Sequence, residues 1–279
     1  IRRTTKKILM KNLTKKQKTQ LLTWFIGFAE GDGSWQVVSD RNTTKSVFII
    51  NQKDPQILHK VKRLLKLGTV SGPYKNKDGS TYYRYRVGTL KGTKELIDIF
   101  NGNLVLKKAQ IRFESYVDAY NSRSTIAGTS SMVIFNDNRF LPTLEDGWLS
   151  GFIDAEGSFS GKNTTKEGIE PIKKPTVRFS LVQKFEKEVF EHLKLLIGGS
   201  LQHEVKKEAY RLKLESKKDR DTIIEYLREF PLQSNKAVPF DRFRKIHIRL
   251  IDGKFKWRLE SARAKARMVR LVENINKDI

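Results

Sequence analysis

Apolar and polar positions recur along this chain with two periods, and the order in which those periods switch is the same in both halves. Thr14 followed by Gln17 makes a capping box, and Leu21, Leu22, Phe25 and Phe28 then recur at helical spacing as far as Gly33. From Ser34 the period drops to two, with Trp35 and Val37 on one side and Gln36, Val38 and Asp40 on the other. Residues 42–45 turn the chain into a second strand over 46–52. Asp54 as N-cap and Pro55 as the first helical residue open a helix through Ile57, Leu58, Val61, Leu64 and Leu65 that closes at Gly68. Strands over 69–75 and 81–90 flank a turn at Asp78 and Gly79, the second placing Tyr83, Tyr85 and Val87 on one face and Tyr82, Arg84 and Arg86 on the other. Helices over 93–100 and 104–120 complete an αββαββα unit.

Residues 121–143, rich in Ser, Thr, Asn and Gly and without a sustained period, read as a linker. The order then restarts. A helix over 144–156 leads to strands over 158–162 and 176–183, where Val177, Phe179 and Leu181 alternate with Thr176, Arg178 and Ser180. A helix over 186–197 stops at Gly198 and Gly199, and strands over 200–206 and 210–215 precede helices over 219–230 and 238–251. The pattern predicts an α+β chain of two αββαββα units, 14–120 and 144–252, each with an antiparallel four-stranded sheet. Within 253–279, residues 257–276 form a further basic helix with no counterpart in the first half, read as a packing or phosphate-contacting extension.

The duplication is clearest in residues 24–35, WFIGFAEGDGSW, and 148–159, WLSGFIDAEGSF. Gly27 and Gly31, and likewise Gly151 and Ala155, stand four apart, so each helix carries a bare stripe that another backbone can approach. The two helices are therefore expected to pack together and to bring their C-terminal ends, with Asp32 and Glu156, into one place, each acid followed by a helix-stopping glycine. A carboxylate there faces the negative end of the helix dipole and two of them repel, so a divalent cation is the natural compensation. Hard oxygen ligands favour Mg²⁺, and paired metals suit in-line phosphodiester displacement. A single copy would read more simply as an amphipathic helix with solvated acids, a reading that repetition undermines.

Composition narrows the partner. Lys and Arg number 55 against 31 Asp and Glu, a net charge of +24, which points to a polyanion without saying which. With 38% hydrophobic residues over 279, two modest cores are within reach. The absence of cysteine excludes disulfides, thiolate zinc and a cysteine nucleophile, and His59, His192, His203 and His247 are too scattered for a metal site, so any such site is carboxylate. No apolar run is long enough to span a membrane, and residues 1–16 lack the hydrophobic core and cleavage site of a secretion signal. They read as a basic lead-in rather than a transit peptide.

FIGFAEGDG and LSGFIDAEG resemble the two signature helices of a single-chain LAGLIDADG homing endonuclease, and the resemblance covers nearly the whole chain. It implies a pseudo-symmetric monomer whose two sheets form a saddle on a long asymmetric double-stranded DNA target, cut with staggered ends by divalent-metal-dependent hydrolysis. It further implies an intron-encoded, often organellar origin, and Mg²⁺ as cofactor, with Mn²⁺ substituting and Ca²⁺ supporting binding but not cleavage. The last acid of each motif holds the metal in this family, which assigns Asp32 and Glu156, with Gly31 and Ala155 before them in the metal set. The pair departs from symmetry, Asp in one half and Glu in the other. Glu30 and Asp154 lie two positions earlier, point to other sides of their helices, and are read as structural.

The repeat register agrees within a loop's length: Asp32 to Glu156 spans 124 residues, Gln52 to Gln183 131, and Lys107 to Lys236 129. In FIINQK and FSLVQK, Gln52 and Gln183 stand four residues after a phenylalanine on the core-facing parity of a strand end. Such a residue is either satisfied by solvent or turned towards the acids, and similarity to active-site glutamines of the family favours the second. Lys107, with Lys108 as its rival, and Lys236 resemble the family's active-site lysine, which stabilises charge at the phosphate, on a chain where surface lysines are abundant. Candidate base readers are the outward strand residues: Ser34, Gln36, Tyr82, Arg84 and Arg86 in the first half, and Ser158, Ser160, Lys162, Thr176, Arg178, Ser180, Arg211 and Lys213 in the second. The functional rival is an intron RNA maturase of the same fold. A non-catalytic DNA-binding regulator is disfavoured, because two repelling carboxylates at a buried junction cost stability without a metal.

Overall fold

The computed structural model describes residues 14–40, 43–128, 132–164, 173–251, 256 and 259–277. The chain divides into two compact units, Ile1–Ala155 and Glu156–Ile279. The expected basic lead-in lies almost wholly outside the described residues, as does Trp257.

The first unit runs α1 (Lys15–Asp32), β1 (Gly33–Asp40), β2 (Thr43–Gln52), α2 (Pro55–Leu65), β3 (Thr69–Lys75), β4 (Thr81–Val87), α3 (Leu90–Phe100) and α4 (Lys107–Ile126). Helix α5 (Trp148–Glu156) belongs to it up to Ala155. The sheet is antiparallel in the order β1-β2-β4-β3. Local signals start several elements as expected: Thr14 and Gln17 exchange both bonds of a capping box, and the Asp54 side chain accepts from the Gln56 N–H ahead of Pro55. Trp35, Phe48, Ile50, Tyr85 and Val87 of the sheet are buried, and Trp35 and Phe48 meet Phe25, Phe100 and Phe113 from the helices. Burying side chains of this size contributes roughly 1.5–3 kcal/mol each.

Several expectations shift. Gly33 does not end α1 through a left-handed turn; its φ of −83° is extended, and it is glycine because a Cβ would lie 2.4 Å from the Ala29 carbonyl oxygen and 2.9 Å from the Phe48 ring. Helix α2 stops at Leu65, not Gly68, with Lys66 taking the left-handed cap at φ 58°. Helix α3 begins earlier than 93, because the Thr89 hydroxyl accepts from the Gly92 N–H and caps it. Helix α4 begins later than 104 and continues past 120 to Ile126, since Leu104, Val105 and Leu106 are buried as extended chain. Part of the expected linker is also pinned to this unit: Asn121 bonds both atoms of its amide to the backbone of Val133, and Asn101 does the same with Ile134 and Asn136. Helix α5 starts at Trp148, where Asp146 Oδ1 accepts from the Trp148 N–H, rather than at 144.

The second unit continues with β5 (Ser158–Thr164), β6 (Lys173–Lys184), α6 (Lys187–Ile197), β7 (Ser200–Glu204), β8 (Ala209–Leu214), α7 (Lys217–Glu229), α8 (Ala237–Ile251) and α9 (Ala262–Glu273). Its sheet repeats the first topology, β5-β6-β8-β7. The α+β fold of duplicated units is therefore as the pattern predicts. The C-terminal helix starts at Ala262 rather than 257, and its role is packing: Met268, Val272 and Ile275 are buried, and α9 lies against β5. A Cβ at Gly161 would sit 2.2 Å from Val272 Cγ1, and Asn276 Nδ2 donates to the Phe159 carbonyl at 2.9 Å.

A polar cluster lies within this core. Arg220 Nε donates to His247 Nδ1 at 3.0 Å, so Nε2 carries the imidazole proton and donates to Asp221 Oδ1 at 2.7 Å. His247 is 1% exposed, and burial pushes its pKa below the ordinary histidine value.

Candidate active site and nucleic-acid interface

The signature helices α1 and α5 meet through the residues that the sequence leaves bare. A Cβ on Gly27 would lie 2.0 Å from the Trp148 carbonyl oxygen, and one on Gly151 would lie 1.8 Å from that of Trp24. Nothing larger than hydrogen fits either place. The contact is reciprocal in its polar bonds as well: Trp24 Nε1 donates to Asp154 Oδ2 at 2.8 Å and Trp148 Nε1 to Glu30 Oε2 at 2.6 Å. Each indole stacks on the phenylalanine four residues along its own helix, with centroids 5.1 Å apart in both cases. Glu30 Oε1 also accepts from the Val105 and Leu106 N–H groups, at 2.9 and 2.7 Å. The first acids of the two motifs thus hold structure, and Glu30 fixes the segment that leads into Lys107. The indoles that hold these acids are a role that periodicity alone does not reveal, since each Trp reads there simply as an apolar helix position.

The last acids have a different setting. Asp32 ends α1, half-buried, and Gln52 at the end of β2 donates its Nε2 to Asp32 Oδ2 at 2.6 Å. In the second unit Glu156 ends α5, half-buried, and Gln183 donates Nε2 to Glu156 Oε1 at 3.4 Å. The core-facing parity of each glutamine, set by Phe48 and Phe179, directs the amide to the acid of its own unit. The Gln183 carbonyl accepts from the Lys184 N–H at 3.0 Å, which fixes the rotation of that amide. Gly31 and Ala155 precede the acids and are half-buried. The donors offered are oxygens throughout, the set that suits Mg²⁺ rather than a soft metal. Among the described residues, no three His, Asp or Glu side chains converge on a further metal site.

Lys107 is the first residue of α4, exposed, with the half-buried Lys108 beside it. Lys236 immediately precedes α8 and is half-buried, its N–H held by the Ser234 hydroxyl at 3.1 Å. Both sequence-selected lysines therefore enter the long helix that follows their sheet.

Most of the candidate readers lie on the outer face of their own sheet and reach solvent. Gln36, Arg86, Ser158, Lys162, Thr176 and Arg178 are exposed, and Ser34, Tyr82, Arg84, Ser160, Arg211 and Lys213 are half-buried. Ser180 departs from expectation: it occupies the central strand β6 between Ser158 and Lys213, and only 8% of it is exposed. Strand parity alone does not show such shielding by neighbours. The structure adds residues that sequence reasoning passed over. Asn51 lies across from Arg84 and accepts its Nε at 3.0 Å, the same guanidinium sits over the neighbouring Tyr74 and Tyr82 rings at 5.4 and 5.8 Å, and Glu204 pairs with Arg211. The hydrogen bond from Arg211 holds the Glu204 carboxyl below its ordinary pKa.

Comparison with known proteins agrees with the fold and the motifs. A family profile described as LAGLIDADG endonuclease matches residues 25–120 and 149–247. Among curated relatives, probable intron-encoded endonuclease 4 of Neurospora crassa is 32% identical over 239 residues, covering 83% of this chain and 40% of that protein. The intron-encoded RNA maturase bI4 of Saccharomyces cerevisiae is 24% identical over 215 residues, covering 77% of this chain and 30% of that protein. The chain thus spans well under half the length of these relatives. Among solved structures, the LAGLIDADG meganuclease I-CpaMI bound to uncleaved DNA superposes with a TM-score of 0.73 at 17% identity, covering 91% of this chain and 99% of that one. Meganuclease I-AabMI bound to uncleaved DNA gives 0.70 at 20% identity, covering 91% and 99%. With the profile matched in both halves, over most of its length, the chain belongs to the LAGLIDADG endonuclease family.

Proposed function

We propose that this chain is a site-specific endonuclease that acts as a monomer on a long, asymmetric double-stranded DNA target and hydrolyses one phosphodiester on each strand, leaving staggered ends. The observation that carries the reading is the repeated pairing of a strand-end glutamine with the last acid of a signature helix, Gln52 with Asp32 and Gln183 with Glu156. A core-facing amide at hydrogen-bonding distance from a helix-terminal carboxylate, once in each unit, holds that carboxylate in one orientation, which a merely solvated acid does not need. Asp32 and Glu156 are the divalent-metal ligands in this reading, with the backbone at Gly31 and Ala155 completing the set. When bound, Mg²⁺ or Mn²⁺ supplies Lewis acidity to the phosphodiester and makes water a better nucleophile, whereas Ca²⁺ supports binding alone. Gln52 and Gln183 orient the carboxylates, and Lys107 and Lys236 place positive charge for the developing charge on phosphate. The intron-encoded relatives support an organellar gene as the origin; no helix among the described residues is long and apolar enough to cross a membrane.

The test is to incubate the chain with a randomised duplex library in Mg²⁺ and, separately, in Ca²⁺, and to sequence cut and bound molecules. Discrete staggered cuts in Mg²⁺ alone are expected, and Asp32→Asn is expected to abolish cutting while keeping salt-sensitive binding. Cutting by Asp32→Asn would remove the assigned site. Binding without cutting in either metal would redirect the reading to intron RNA.

A further inference from the structure

Three arginines on the outer faces of the sheets share one geometry. Arg84 Nε donates to Asn51 Oδ1 at 3.0 Å, Arg178 Nε donates to Ser160 Oγ at 3.1 Å, and Arg211 Nε donates to Glu204 Oε1. The acceptors differ chemically, but each comes from the neighbouring strand. Asn51 and Ser160 stand directly across from their arginines, and Glu204 lies on β7 two residues beyond Gln202, the residue across from Arg211. Arg86 is on the same face as Arg84 and has no such acceptor among the described residues.

The choice of nitrogen has a consequence. A guanidinium has five N–H donors in a rigid plane, and fastening Nε to the side restrains that plane while leaving NH1 and NH2 outside that bond. Arg84 is held further, over the adjacent Tyr74 and Tyr82 rings, with NH2 at 3.4 Å from the Tyr82 hydroxyl. Around Arg178 the additional partner is Glu215, at 3.9 Å from NH1. A terminal fork with parallel N–H groups matches the O6 and N7 acceptors that guanine alone shows together in the major groove. A tethered guanidinium also loses less freedom on binding and cannot swing to whichever phosphate is nearest. The plainer view is that each arginine found a convenient cross-strand acceptor. Against it stand the use of the same nitrogen three times in two sheets, and Glu204, a carboxylate on a face meant for a polyanion, where it repels phosphate unless it serves a specific purpose.

We propose that Arg84, Arg178 and Arg211 are guanine-reading residues and that Asn51, Ser160 and Glu204 are positioning residues that aim them. The assignment rests on duplex DNA being the ligand and deepens that reading by naming the base and the residues that select it. Arg86, untethered, contributes affinity without base preference.

The test is selection of bound duplexes from a randomised pool in Ca²⁺, using the full chain and its variants, with sequencing of the recovered molecules. The unaltered chain is expected to enrich a site with at least three guanine positions. Arg84→Lys, Arg178→Lys and Arg211→Lys should each reduce guanine preference at one distinct position, by on the order of tenfold to a hundredfold. Asn51→Leu, Ser160→Ala and Glu204→Ala should relax that preference at the same position as the partner arginine. Asn51→Asp, Ser160→Thr and Glu204→Gln, which keep an acceptor, should restore it; a purely structural role would not produce this position-by-position pattern. Arginine variants that weaken all sequences equally would overturn the assignment while leaving the endonuclease reading intact. Failure of the unaltered chain to enrich any sequence would overturn both.

Discussion

A buried carboxylate that accepts three N–H groups is a point where one side chain supports several elements. Glu30 receives Val105, Leu106 and the Trp148 indole, so its removal leaves three donors from two separate segments without their acceptor. Glu30→Ala is expected to lower stability by about 3 kcal/mol or more, since each buried N–H left without an acceptor costs about 1–3 kcal/mol. Equilibrium urea unfolding measures this, and an unchanged midpoint would show that the segment before Lys107 is held by other contacts. The sequence reading of Glu30 and Asp154 as structural follows from helical geometry: residues two apart point about 200° apart on an α-helix, so first and last acid of one motif cannot share a site. Which donors they meet depends on the partner helix, and local pattern carries no record of that.

At the scale of elements, the extra C-terminal helix shows how unit two completes its core. In the first unit the single long helix α4 covers β1 and β2, whereas α8 and α9 share the cover of β5 and β6 in the second. Met268→Ala in α9 is expected to cost about 2–5 kcal/mol, read as a drop in unfolding midpoint. The polar cluster linking α7 to α8 adds a pH dependence. His247 has a folded pKa below its unfolded value, so the unfolded chain binds the extra proton more readily. Its contribution is fully present above about pH 6.5 and is lost as pH falls through the histidine range, because burial disfavours the added charge more than the Asp221 hydrogen bond favours it, and a proton on Nδ1 would oppose the N–H of Arg220. Unfolding midpoints at pH 7.5 and pH 5.5, in native chain and in His247→Gln, test this: the native chain should lose more stability than the variant between the two. Equal losses would place the pH sensitivity elsewhere.

For the whole molecule the dominant quantity is charge. With a net charge of +24, binding to duplex DNA should release many counterions. If roughly six to ten phosphates are contacted, affinity should fall about 10³–10⁵-fold between 50 and 200 mM salt. Fluorescence anisotropy with a labelled duplex gives the slope, and a slope near zero would mean that the basic residues do not meet the phosphates. Replacing Arg86 should reduce the slope by about one contact.

What the sequence by itself determined was everything written in local periodicity and repetition. Period two against period 3.6, the Thr14–Gln17 box, Asp54–Pro55 and Asp78–Gly79 set the order of elements, and the recurrence of one motif set the duplicated fold. The core-facing parity of Gln52 and Gln183 was legible for the same reason, since a strand has only two faces. The tertiary structure decided what depends on neighbours distant in the chain. It set the start of α4, where Glu30 claims the N–H groups of Val105 and Leu106, the shielding of Ser180 on a central strand, and the packing role of α9. It also set the lateral tethers of Arg84, Arg178 and Arg211, because a cross-strand partner is fixed by register, and register is a property of the assembled sheet rather than of any one stretch of residues.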